Sequence, residues 1–295
     1  MPQFLLDHTT LDHTALHVGE GQTSELNRIF ETLIEIIETI KENDSDLVKS
    51  TQALYVETLP GVQLWEILYD RNYSFIDPVL LQALGRSLER ITDSEEEDIF
   101  RYARDRVANG TAIALVSAVG IPVDLSAIEG IYRVSDRATL LRFYRKVFAF
   151  ENTTEDAFWN MAEVAFPQLW FHRERTKFNQ FKQPYAVTRS MVVKHLAAIN
   201  DDFRSVATTC KSNPDCIDRH FSGVHTVNIS PESPKTHSNT AAMRQRVVRI
   251  RAIDYTCEWH SKLSPTTDRI HFCAGENAEL GGRILIGIFA EHLDT

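Results

Sequence analysis

The sequence predicts an α+β protein: a mainly helical N-terminal domain followed by a C-terminal antiparallel β-sheet region. Three observations carry that expectation. Apolar residues recur at helical spacing from about residue 24 to residue 203. A stretch rich in Ser, Thr, Asn, Pro, Asp and His, 205–243, loses that period. From 244 to 295 the chain is β-branched and partly alternating, with turn residues between the runs.

The elements follow in order. Residues 1–20 carry a short repeat, Asp7-His8-Thr9-Thr10-Leu11 and Asp12-His13-Thr14-Ala15-Leu16, followed by His17. It lacks the paired His with intervening Glu of a helical zinc site, so it reads as a flexible polar terminus. The helical domain, 21–204, opens with Ser24 as a cap and Leu26, Ile29, Phe30, Leu33, Ile37 and Ile40 on one face. Pro60-Gly61 interrupts the apolar run 53–69. Asp77-Pro78 is a helix start, a cap followed by proline at the first helical position. The acidic run from Asp93 to Asp98 suits the next helix N-terminus, where the macrodipole favours negative charge, and Asn109-Gly110 ends that helix. Thr111–Val119 is apolar enough for a buried helix or a strand, and periodicity does not choose. Ser135, Thr154 and Pro184 open three more helices, and the aromatic density from Phe143 to Phe171 reads as packed core. The stretch 205–243 reads as a polar loop or linker, and four strands follow within 244–295.

Composition restricts the function classes. The chain has 295 residues, a formal net charge of -10 and four cysteines. The charge is unevenly spread: 17 basic and 29 acidic residues in 1–180, against 14 and 12 in 181–295. A uniformly basic nucleic-acid coat is excluded, and an anionic partner is expected at the C-terminal part. No apolar run approaches a membrane span and no secretory signal is visible; with so few cysteines, a cytoplasmic location is expected. Gly-x-Ser-x-Gly, Gly-x-Gly-x-x-Gly and the phosphate-binding Gly-x₄-Gly-Lys are all missing, so no cofactor is expected.

The candidate chemistry lies in a hairpin of Tyr255–Leu263 and Arg269–Cys273. Alternation sends Trp259, Leu263, Ile270 and Phe272 to the core and leaves Glu258, His260, Lys262, Arg269 and His271 on an open face. Two imidazoles, a carboxylate and two cations are what metal-independent RNA cleavage needs. A His or Glu takes the 2′-hydroxyl proton, the other His protonates the leaving oxygen, and the cations hold the phosphate. Arg244, Arg246, Arg249 and Arg251 would position the nucleic-acid backbone. No metal is assigned to this site. The competing reading is a solvated sheet face on a non-catalytic protein-interaction or regulatory module with an acidic helical domain. Two weaker patterns stand beside these. Arg189 and His195 have the spacing of HEPN ribonucleases. Cys210, Cys216 and His220, with His225 and His237 nearby, offer zinc donors without the compact knuckle spacing.

Trp259-His260-Ser261-Lys262-Leu263, Asp268-Arg269-Ile270-His271-Phe272 and the run Arg283–Leu293, which includes His292, resemble the end of RelE/HigB-type mRNA interferase toxins. The resemblance covers about 40 of the 295 residues. It implies a toxin-like or host-defence ribonuclease, an RNA substrate that is ribosome-associated, and an antitoxin or regulatory protein partner. It also implies phosphate-binding and acid–base duties for Lys262, Arg269, His271 and His292.

Overall fold

The computed structural model describes residues 2–17, 23–70, 73, 76–94, 96, 98–119, 130–150, 153–275 and 277–294. Helices and strands are both abundant and are distributed over two compact units, Met1–Val147 and Phe148–Thr295. The first unit is not a helical domain. Its centre is a five-stranded parallel sheet of β1 (Gln3–Asp7), β2 (Asp46–Ser50), β3 (Thr92–Ser94), β4 (Ile113–Ser117) and β5 (Ile131–Val134), in the order β3-β2-β1-β4-β5. Strands buried on both faces read as apolar runs without alternation, as Phe4-Leu5-Leu6 and Ile113-Ala114-Leu115-Val116 do. That is why the helical period of the intervening segments dominated the sequence.

Those segments form α1 (Thr23–Glu42), α2 (Leu64–Tyr69), α3 (Pro78–Glu89), α4 (Ile99–Ala108) and α5 (Arg137–Phe150). Asp77 caps α3 by accepting from Val79 N–H, with Pro78 at the first position as expected. Asp98 caps α4 through Phe100 and Arg101 N–H. Ser24 lies inside α1 rather than capping it, and Glu95 and Glu97 of the acidic run lie outside the described residues. The expected flexible terminus is instead the central strand: Phe4, Leu5, Leu6 and Asp7 are fully buried.

The second unit contains α6 (Glu155–Ala165), β6 (Leu169–Phe171), α7 (Tyr185–Thr209), α8 (Pro214–Val224), β7 (Asn228–Pro231), α9 (Pro234–Ser238) and α10 (Thr240–Gln245). Then come β8 (Val247–Ile250), β9 (Ile253–Thr256), β10 (Trp259–Lys262), β11 (Arg269–Cys273) and β12 (Ile284–Ala290). The segment 205–243 is therefore not a linker. Pro214 and Pro234 stand at the first turns of α8 and α9, capped by Asn213 and Ser233, so the polar residues mark helix starts. The main sheet has the order β6-β12-β11-β10-β7; its pairings are antiparallel except β6 with β12, which is parallel.

β8 and β9 form a separate two-stranded ribbon. Val248 and Tyr255 of the ribbon pack with Cys257, Leu280, Leu285, Ile288 and Ala290 in one apolar cluster. A bulge makes this possible. His271 pairs with Ile288 and Phe272 with Ile286, leaving Gly287 as the extra residue. A Cβ at Gly287 would overlap Cys257 Sγ. Gly287→Ala should therefore lower stability by about 1–3 kcal/mol through overpacking. Cys257→Ala in the same chain should recover most of the loss. Denaturant melts of the two variants check this, and a double variant no better than the single one would contradict it.

Candidate functional site in the second unit

The hairpin register places His260 directly opposite His271 and Lys262 opposite Arg269. Trp259, Ser261, Ile270 and Phe272 face the other way, toward α7. Phe203 of α7 contacts the rings of Trp259 and Phe272, and Ser261 Oγ lies 2.6 Å from His195 Nδ1. The alternation inferred from the sequence is thus present. The expected open face is not: His260 is 7% exposed and His271 1%. The β8–β9 ribbon and the turn before it close over that face: the expected strand Tyr255–Leu263 is divided between β9 of the ribbon and β10 of the main sheet.

A carboxylate and a guanidinium complete the centre. Glu232 follows β7, and its N–H donates to Glu258 O at 2.8 Å, extending the β7–β10 ladder by one residue. Arg246 follows α10; its C=O accepts from Cys257 N–H, and its Nη1 donates to Ala242 O. These backbone bonds bring Glu232 Oε1 to 2.7 Å from Arg246 Nε and 3.3 Å from both His260 Nδ1 and His271 Nδ1. On its far side His260 Nε2 lies 3.2 Å from Ser230 Oγ. Burial alone would push the Glu232 carboxyl up, but the two imidazoles and Arg246 outweigh it and hold the group far below the usual carboxylate range. Burial pushes His271 down to about 4 against the pull of Glu232, so its imidazole is neutral near pH 7. Removing Glu232 would leave Arg246 buried without its counter-ion, a loss of about 3–5 kcal/mol.

The sequence-derived residues divide accordingly. His260 and His271 come together, while Lys262 and Arg269 form a half-buried rim beside them. Arg269 Nε is buried without a hydrogen-bond partner among the described residues, and neither rim cation lies within ion-pair distance of an acidic group there. Glu258 is exposed and enters only through its carbonyl, and exposed His292, beyond the end of β12, makes no contact with the centre. The four arginines do not form a phosphate-binding strand. Arg246 is buried on Glu232, Arg249 pairs bidentately with Asp254, Arg251 lies 3.6 Å from Glu279, and Arg244 is exposed at the end of α10. The HEPN pattern also fails, because His195 is buried against Ser261 rather than paired with Arg189.

Glu232 and Ser230 are not among the residues that the sequence pattern singles out, because they lie in the polar stretch 205–243, which lacks helical periodicity. The available signal was Ile229 among strand-compatible residues ahead of Pro231.

Among the described residues, two groups of side chains have the donors to ligate a metal: Glu232 with His260 and His271, and Asp202 with His220 and His225. In the first, Arg246 occupies the carboxylate and its charge opposes a cation, which favours acid–base over metal chemistry. The first unit has a smaller polar grouping at the point where its strand order reverses, between β1 and β4. There Asp7 accepts from Thr9 and lies 3.2 Å from Arg133 Nη1, which also donates to Ser117. Asp7 is thus spent on internal partners. The N-terminal histidines join no metal-capable group among the described residues.

No family model, no curated protein and no solved structure matches the chain.

Two imidazoles of this unit, His195 and His271, are pushed down from about 6.5 to about 4, in both cases chiefly by burial. The unfolded chain takes up two protons near pH 6.5 that the native state refuses until about pH 4. Stability should therefore be complete above about pH 6.5 and fall as the pH drops, by up to about 3 kcal/mol per unit. Urea midpoints between pH 7.5 and 4.5 measure the slope. His195→Gln should lower it by one proton's worth, about 1.4 kcal/mol per pH unit, and an unchanged slope would refute the burial account.

Proposed function

We propose that the second unit binds RNA and cleaves it without a metal, at the rim formed by Lys262 and Arg269. The observation that carries this reading is the like-charge pair itself. Two cations stand directly opposite each other on an antiparallel ladder, with no acidic partner among the described residues, next to a proton-handling imidazole fixed by a buried carboxylate. Like charges in that position disfavour the sheet, and a phosphate bridging them would relieve the repulsion.

In this reading Lys262 and Arg269 hold the phosphate. His260, the more exposed of the two histidines, accepts the 2′-hydroxyl proton. The 2′ oxygen bonds to phosphorus, the bond to the 5′ oxygen breaks, and the imidazolium returns its proton to that oxygen, leaving a 2′,3′-cyclic phosphate and a 5′-hydroxyl. Glu232 stabilises the imidazolium and orients the ring. His271 is too deeply buried to touch a substrate and acts as a positioning residue. The toxin-like, host-defence setting rests on the likeness of β10, β11 and β12 to the end of RelE/HigB-type toxins.

The test incubates the full chain with single-stranded RNA in excess chelator and identifies the product ends. His260→Ala should lower cleavage by about 10²-fold or more while the fold is kept. Exchanging both rim cations for Ala should weaken binding and reduce the salt slope by about two. A folded wild-type chain that neither binds nor cuts RNA would overturn the proposal in favour of the non-catalytic interaction module.

A further inference from the structure

The Cys-x₅-Cys-x₃-His pattern offers zinc donors in sequence, but the structure uses them differently. Cys210 and Cys216 are joined as a disulfide, so neither thiolate is available to a metal. The bond links the end of α7 to the first turn of α8 and holds the two helices side by side. Three donors then converge across the pair: Asp202 from α7, and His220 and His225 from α8 and its C-terminal cap.

The geometry of these three side chains differs from an ordinary surface ion pair. Asp202 Oδ2 and His225 Nε2 are 2.6 Å apart, the His220 and His225 rings are 6.3 Å apart, and one ligand atom from each residue lies within 4.8 Å of the other two. His220 has no hydrogen-bond or ion-pair partner among the described residues; its contacts are with the Phe221 and His225 rings. Each residue is half-buried, so the site is anchored yet open on one side. Tetrahedral zinc with ligands at about 2.0–2.2 Å needs donor atoms about 3.3 Å apart, which side-chain adjustments of roughly 1 Å would reach here.

We propose that Asp202, His220 and His225 form a binding site for one divalent transition-metal ion of the zinc class, with the fourth position left to water. The donor set, one carboxylate and two imidazoles, suits zinc and its neighbours rather than calcium or magnesium. A metal held there joins α7 to α8 beside the disulfide and adds stability by mass action, because the unfolded chain does not bring the three donors together. This site is separate from the Glu232 centre and does not depend on the ribonuclease reading.

The experiment titrates zinc chloride into the chelator-treated, oxidised full chain by calorimetry, and cobalt chloride in parallel by visible absorption. The wild type should bind one equivalent in the micromolar range or tighter. Cobalt should give the intense visible bands of a tetrahedral N/O site, and zinc should raise Tm. His220→Gln and Asp202→Asn should each weaken binding by about 10-fold or more and cancel the rise in Tm, with the metal-free Tm of His220→Gln close to that of the wild type. An absence of binding by the folded wild type would overturn the proposal. So would undiminished stoichiometry and affinity in the His220→Gln, His225→Gln double variant, which would put the metal at the Glu232 centre or elsewhere on the chain.

Discussion

The Glu232 carboxylate is the constraint around which the second unit is arranged. An ionised carboxylate removed from water is tolerated only where charged or polar donors surround it. Here Arg246 stands 2.7 Å away and the two imidazoles 3.3 Å away. Each partner comes from a different element, and each is pinned by the backbone: Glu232 by Glu258, Arg246 by Cys257, and the histidines by the β10–β11 ladder. Displacing any one of these elements would strand a buried charge. The interaction thus fixes the position of the turn and ribbon over the sheet, whatever its net worth against a hydrophobic alternative.

The sheet had to be altered to accept that arrangement. In a regular β12, Leu285 and Ile288 would point to opposite faces, since residues three apart alternate. The extra residue at Gly287 brings both into the apolar cluster beneath the ribbon, while Ile286 pairs with Phe272. The same residue leaves space for Cys257, which a side chain would displace. Bulge, ribbon and buried centre are therefore one device: the bulge turns the strand, the ribbon covers the turned face, and the covered face holds His260 and His271.

The sequence revealed local structure better than arrangement. Caps such as Asp77, Asp98 and Thr154 act within three residues, so their chemistry is visible in the chain. That His260 and His271 share a face followed from period-two alternation; their direct pairing is a matter of register that the structure supplies. The parallel sheet of the first unit was hidden because its strands lack alternation and pair with partners distant in the chain, as Gln3 does with Ile113. The burial of the site was hidden for a related reason. Whether a polar sheet face meets water depends on what folds over it, and the covering ribbon reads locally as two more strands. Glu232, whose partners lie 14 to 39 positions away, carries no local mark of its role.

The molecule itself supplies a comparison for the rim cations. On the β8–β9 ribbon the directly opposed pair is Arg249 with Asp254, and the two form a bidentate ion pair. This is how an exposed antiparallel ladder lowers its energy when solvation is its only task. On the β10–β11 ladder the equivalent relation is Lys262 with Arg269, two like charges without a carboxylate within ion-pair distance among the described residues. Burial and the Arg246 charge push the Arg269 guanidinium below its ordinary value against the pull of Glu232, whose carboxylate Arg246 and the imidazoles already occupy. A ladder of four residue pairs that gives one pair to mutual repulsion and another to buried histidines gains little stability from either. What both positions gain is a fixed field: positive charge at the rim and an oriented imidazole behind it, the arrangement that an anionic ligand with a transferable proton would need.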